Sequence, residues 1–114
     1  MAGIAALTTD LMDRTRLAQA LPGMVAAGDV DGCKGADVVL VDLARHAGRV
    51  GEIRRLAPEA LVIGYGPHVD DALLAGALAD GADAAIPRSR LFRDPESAIA
   101  AARAGIAGEP AGSS

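Results

Sequence analysis

The sequence predicts an α/β protein: a doubly wound, five-stranded parallel sheet in the order 2-1-3-4-5, with a shortened or missing second helix. Three observations lead there. Within Ala36-Asp37-Val38-Val39-Leu40-Val41-Asp42-Leu43, four apolar residues run unbroken up to an acid. Such a Val/Leu run is the pattern of a strand buried on both faces. Apolar runs of this kind alternate along the chain with amphipathic segments, the order of a parallel sheet covered by helices. The chain has 114 residues, the length of one domain and enough to bury a core without staples.

Taken in order, Gly3-Ile4-Ala5-Ala6-Leu7-Thr8-Thr9 is expected as the first strand. A helix follows from Asp10 to Leu21, with Leu17 and Leu21 inward and Asp13, Arg14 and Arg16 solvated; Pro22-Gly23 ends it. Met24 to Ala27 forms a short second strand, and Gly28 to Gly35 a loop or single helical turn. The central strand comes next, then a polar connection from Leu43 to Arg49. Val50 to Ala57 is a helix with Val50, Ile53 and Leu56 or Ala57 inward. Leu61 to Tyr65 is a buried strand, turned by Gly66-Pro67-His68. Val69 to Asp80 is a helix with Leu73, Leu74, Ala77 and Leu78 on one side and Gly81 as its C′ residue. Ala84 to Ile86 is the last strand. Asp94 and Pro95 read as cap and first helical residue; Ser97 to Gly105 is the last helix, with Ile99 and Ala102 inward. Residues 1–106 are expected as the domain and 107–114 as a disordered tail.

Composition narrows the function classes. Hydrophobic residues make up 51% but aromatics only 2%, so the core is built from Ala, Val, Leu and Ile and leaves little volume for a large ligand. A net charge of -4 argues against direct nucleic-acid binding. The lone Cys33 excludes a disulfide framework and a cysteine zinc site. It is expected as buried filler rather than a reactive thiol. No run approaches the ~20 apolar residues of a membrane span, and no basic segment followed by a long apolar stretch marks a signal peptide. A cytoplasmic protein is the expectation. No triad, zinc signature or phosphate loop indicates an enzyme. His46 and His68 are expected as surface residues on turns rather than as ligands of a transition metal.

In a sheet of order 2-1-3-4-5 the junction of strands 1 and 3 is the switch point where a site belongs. Asp10 follows strand 1 and Asp42 ends strand 3, so their carboxylates are expected to converge there.

These residues carry a resemblance. Asp37-Val-Val-Leu-Val-Asp42-Leu43, Leu61-Val-Ile and Ala79-Asp-Gly-Ala-Asp-Ala-Ala-Ile86 are together similar to the receiver domains of bacterial two-component response regulators, over roughly residues 3–105. Tyr65-Gly-Pro-His68 and Pro87-Arg-Ser89 look like a group of short, divergent, stand-alone members. The resemblance implies a flavodoxin/CheY-like fold and a place in signal transduction, with a histidine kinase or an output protein as partner. Receivers accept a phosphoryl group on an Asp, hold magnesium with acids after strand 1, bind the phosphoryl oxygens with Thr or Ser and Lys, and report the state through an aromatic on strand 5.

Carried over residue by residue, Asp42 matches the phosphoacceptor, a carboxylate nucleophile. Asp10 matches the second of the paired acids and Thr9 stands at the first. Asp10, Asp42 and the Ala44 carbonyl are the magnesium candidates, with a helix N-cap as the competing role for Asp10. Gly66 holds the Thr/Ser position without a hydroxyl, and Arg88 the Lys position. Ser89 stands where proline is usual and Ala85 at the aromatic switch. Arg88, Gly66 and Ser89 are thus the phosphoryl or anion-binding candidates, with Arg90 and Arg93 as neighbouring cations. The leading expectation is a pseudo-receiver that acts through protein–protein contacts. A phosphoacceptor using Asp42 with magnesium and a small-anion sensor stand as alternatives. A homodimer through the helix 4–strand 5–helix 5 face is also expected to be compatible.

Overall fold

The computed structural model of the chain describes residues 3–67 and 71–107. Five parallel strands form one sheet: β1 (Ile4–Leu7), β2 (Val25–Ala27), β3 (Val38–Asp42), β4 (Leu61–Gly66) and β5 (Ala84–Pro87), in the order β2-β1-β3-β4-β5. This is the doubly wound topology expected from the sequence. Every residue of β3 and β4 is buried. Strand β3 pairs with both β1 and β4, in the registers Leu7↔Val41 and Asp42↔Tyr65. The unbroken apolar run of β3 follows directly, since both of its faces are covered.

The two faces separate cleanly. Val39 and Val41 pack with Leu43, Val50, Ile53 and Ala77. Val38 and Leu40 pack with Leu17, Leu21, Leu91 and Ile99. Helices α1 (Leu11–Ala20), α5 (Arg88–Arg93) and α6 (Pro95–Ala107) supply the second group. Helices α3 (Val50–Leu56) and α4 (Asp71–Ala79) supply the first. Alternate β3 residues therefore feed opposite layers, as the two-residue period of a strand requires.

The β2-to-β3 connection holds only a 3-10 turn, Val30–Cys33, capped by Asp29 and anchored by buried Cys33. The second helix of the usual pattern is absent there. After α4, Gly81 has φ 116°. Its N–H bonds Leu78 O at 3.2 Å and Ala82 N–H bonds Ala77 O at 3.0 Å, a Schellman close that needs a residue free of Cβ strain.

Two helices were not expected. The connection read as Leu43 to Arg49 contains α2 (Leu43–His46) and a 3-10 turn at Ala47–Arg49. Asp42 is the N-cap of α2, its side chain accepting from Ala44 N–H. Four residues are too few to display helical periodicity. Helix α5 starts directly on Arg88 behind Pro87 and buries Leu91; it too is short. The expected turn residue His68, the first residues of the expected helix 69–80, and the expected tail 107–114, save residue 107, lie outside the described residues. No helix among the described residues is long and apolar enough to cross a membrane.

Candidate functional site

Thr8, Asp13 and Asp42 are the buried polar residues of the described chain, and all three meet at the carboxyl end of the sheet. Polar groups so placed need partners. Thr8, one residue past β1, continues the Leu7↔Val41 register to the level of Asp42. Its hydroxyl donates to Asp42 Oδ2 at 3.1 Å. Asp42 Oδ1 accepts from Ala44 N–H at 3.2 Å, and Arg45 Nη1 donates to Asp42 Oδ2 at 3.3 Å. Both oxygens of Asp42 are engaged, and its side chain is 2% exposed.

Asp13 forms the second centre. Arg88 grips it with both guanidinium arms, Nη1 to Oδ2 at 2.8 Å and Nη2 to Oδ1 at 2.5 Å. The Tyr65 hydroxyl donates to Asp13 Oδ2 at 3.3 Å. The Asp13 carboxyl is held below its ordinary range, first by the Arg88 hydrogen bond, against the opposing effect of burial. The same bond holds Arg88 more firmly charged. Burial pushes the Tyr65 phenol far up, and the Asp42 and Asp13 carboxylates add to it. Around Tyr65 the packing is tight: Phe92 meets it edge-on at 5.6 Å, and Arg88 and Arg16 lie over the Phe92 ring at 4.7 and 4.9 Å.

Asp10 lies between sheet and solvent. It is the N-cap of α1, Oδ1 accepting from Asp13 N–H at 3.0 Å. Its other oxygen stands 3.6 Å from Arg45 Nη1, the nitrogen that also reaches Asp42.

The placements correct several expectations. Asp13 is not solvated: it is fully buried and ion-paired. The hydroxyl beside Asp42 belongs to Thr8, whereas Thr9 is exposed. Arg88, an anion-binding candidate, grips the Asp13 carboxylate, and Ser89 is exposed on α5. Gly66 is buried at the end of β4, where an added Cβ would lie 3.2 Å from Leu73 Cδ2. The residue in register with Asp42 is instead Tyr65. Ala85 packs against the α3–α4 layer. His46 is half-buried on α2, its Nε2 enclosed with no hydrogen-bond partner among the described residues.

The magnesium set Asp10, Asp42 and Ala44 fits the ion poorly. Asp10 caps α1, threonines follow β1, and an Arg45 nitrogen sits between the two carboxylates. Among the described residues no group of three or more His, Cys, Asp or Glu side chains is placed to hold a metal. A separate open apolar groove of about 570 Å³, lined by Ile4, Leu21, Ile99 and Ala100, lies at the other end of β1.

The residues missed by sequence reasoning carried legible signals. Asp13 lies four residues before Leu17 and eight before Leu21, on the same inward stripe of α1. Arg45 is three residues past Asp42, on the same face once a helix starts there. Tyr65 sits in a fully apolar strand, where its hydroxyl requires a partner.

No protein-family model matches the chain, and no curated protein matches it. Solved structures do. A response regulator receiver domain protein from Clostridium thermocellum superposes with a TM-score of 0.73 at 20% identity, over 90% of this chain and 94% of that one. A putative pilus assembly-related protein from Burkholderia pseudomallei gives 0.69 at 17% identity, over 91% and 90%. NtrX from Brucella abortus gives 0.69 at 20% identity; it matches all of this chain, which spans 31% of NtrX. At these identities the likeness is one of fold, and the fold is that of response regulator receiver domains.

Proposed function

We propose that the chain is a receiver-like signalling module that works through protein–protein contacts, with phosphoryl transfer to Asp42 lost or weakened. The observation that carries this reading is how closely Asp42 is held, with three hydrogen bonds on its two oxygens. A carboxylate nucleophile needs a free lone pair aimed at the incoming phosphorus. Here Oδ1 is fixed by the α2 backbone, and Oδ2 is shared between the Thr8 hydroxyl and Arg45. Arg88, which stands at the position of the family's phosphoryl-binding lysine, is already bidentate on Asp13, the strong form of such a pair. Gly66 offers no hydroxyl, and Ala85 no aromatic ring to report a change of state.

The partner class is another signalling protein, a histidine kinase or an output protein, as the receiver fold suggests. The test is incubation with acetyl phosphate and Mg²⁺, followed by intact mass. Wild type is expected to show no phosphate-sized gain. A gain that disappears in Asp42→Asn would overturn the reading in favour of a working phosphoacceptor. In a pull-down from the native host, Asp42→Asn is expected to retain the same partners as wild type.

A further inference from the structure

We propose that the Arg45 guanidinium is the resident cation of this site, seated between Asp10 and Asp42 where a receiver fold would otherwise draw a divalent metal ion. The inference deepens the reading above and rests on it. It starts from one atom: Arg45 Nη1 is 3.3 Å from Asp42 Oδ2 and 3.6 Å from Asp10 Oδ2. A single nitrogen thus bridges the two carboxylates named as metal candidates.

The local fold holds it there. Asp42 caps α2, so the chain turns into helix immediately after the strand and residue 45 falls back over residue 42. Leu43 fixes the helix against the sheet. Its side chain lies over Gly64, where an added Cβ would come within 2.8 Å of Leu43 Cδ1. Gly64 therefore permits the close approach, Leu43 uses it, and Arg45 is aimed by it.

Charge and coordination then favour the guanidinium. Three carboxylates (Asp10, Asp13, Asp42) face two guanidiniums (Arg45, Arg88) in this network, leaving a net of one negative charge from 3 − 2. Mg²⁺ demands near-octahedral oxygen ligation and gives up water reluctantly. It would have to displace a tethered cation from Asp42, whose oxygens already accept from Thr8 and Ala44. Tethering keeps Arg45 at high effective concentration. Its side chain is 51% exposed, so it can be removed without opening the core.

Arg45→Met, which keeps the aliphatic stem, separates this role from plain packing. Mn²⁺ binding is followed by electron paramagnetic resonance, and thermal unfolding is compared in Mg²⁺ and in chelator, with no phosphodonor present. Wild type is expected to show no saturable Mn²⁺ binding and the same unfolding midpoint in both buffers. Arg45→Met is expected to show saturable Mn²⁺ binding, on the order of tenfold tighter than the weakest binding the wild-type titration would detect, as loss of a nearby like charge at a half-exposed site implies. That gain is expected to vanish in Arg45→Met/Asp42→Asn. Saturable Mn²⁺ binding by wild type that Asp42→Asn removes would overturn the inference. So would a folded Arg45→Met, verified by its far-ultraviolet circular dichroism, that binds Mn²⁺ no better than wild type. Neither result bears on phosphoryl transfer, which the mass measurement reads separately.

Discussion

Arg88→Met is expected to destabilise the protein more than Asp13→Ala, although each breaks the same ion pair. The asymmetry comes from burial. The Asp13 side chain is 1% exposed and that of Arg88 is 41%. Removing Asp13 leaves a guanidinium that can turn to water. Removing the guanidinium leaves a carboxylate enclosed with one remaining side-chain donor, the Tyr65 hydroxyl at 3.3 Å. Stranding one member of a buried pair costs about 3–5 kcal/mol. The solvent access on the Arg88 side screens the pair and lowers this to roughly 2–3 kcal/mol. At about 2 cal/mol/K of unfolding entropy per residue, that is a fall in Tm of about 8–12 °C. The pH dependence sharpens the test. In wild type the folded Asp13 pKa lies below the unfolded value near 3.8, so the pair's stabilisation is full above that value and is lost as pH falls through the folded one. In Arg88→Met the largest lowering effect is gone, burial is opposed only by the Tyr65 hydrogen bond and the Arg45 charge, and the folded pKa rises from its wild-type position. The variant is then relieved of its penalty as the carboxyl protonates. The stability gap, measured by urea unfolding at several pH values, is expected to be widest near neutrality and to narrow on acidification. A gap that is flat with pH, or an Asp13→Ala variant less stable than Arg88→Met, would refute the argument.

Two further outcomes follow from packing. Gly64→Ala is expected to cost about 1–3 kcal/mol in urea unfolding, because its Cβ would meet Leu43 at 2.8 Å, whereas Gly76→Ala in α4, with nothing within 4 Å, is expected to stabilise by roughly 0.5–1 kcal/mol. Cys33 is fully buried, and burial, with help from the Asp29 carboxylate, pushes its thiol pKa up. Its reaction with an aromatic disulfide is expected to be on the order of a hundredfold slower in the folded protein than in denaturant, since reaction requires local opening; equal rates would place the thiol at the surface.

The sheet was legible because each strand is an apolar run of the right length between turn residues, and β3 could hardly be anything but central. The Schellman glycine, Gly81, and the α6 start at Asp94-Pro95 were readable for the same local reason. The site was legible only in outline. Asp42 and Asp10 were placed at the switch point, but their partners were not, because partnership there depends on the register of β1 and on two short helices. Ending β1 at Leu7 puts Thr8, not Thr9, beside Asp42. Asp13 shares the inward stripe of Leu17 and Leu21, a spacing that was readable without the helix boundary. The end of β1 cannot be fixed to one residue by alanine-rich sequence, and in a strand a shift of one residue reverses which side chain faces the core. Arg45 was hidden because α2 is four residues long, and the partner of Arg88 was missed because Asp13 was expected in solvent.

What these corrections have in common bears on how such a chain would signal. Each acid at the mouth of the sheet holds a secondary-structure element in place. Asp10 caps α1, Asp42 caps α2, and Asp13 fastens α5 through Arg88. A ligand moves an equilibrium only by binding one of two states better than the other. A phosphoryl group or metal arriving at Asp42 would compete with the cap of α2, the Thr8 bond and Arg45 for the same carboxylate. The route by which a receiver couples chemistry at the strand end to its surface is therefore opposed here by the fold's own hydrogen bonds. On the reading proposed above, the face offered to a partner is constant, and control passes to the amount of the chain present or to changes made on the partner. Arg45→Met tests the charge in this arrangement by itself, since it removes the guanidinium without altering the Asp42 cap of α2 or the Asp13–Arg88 pair.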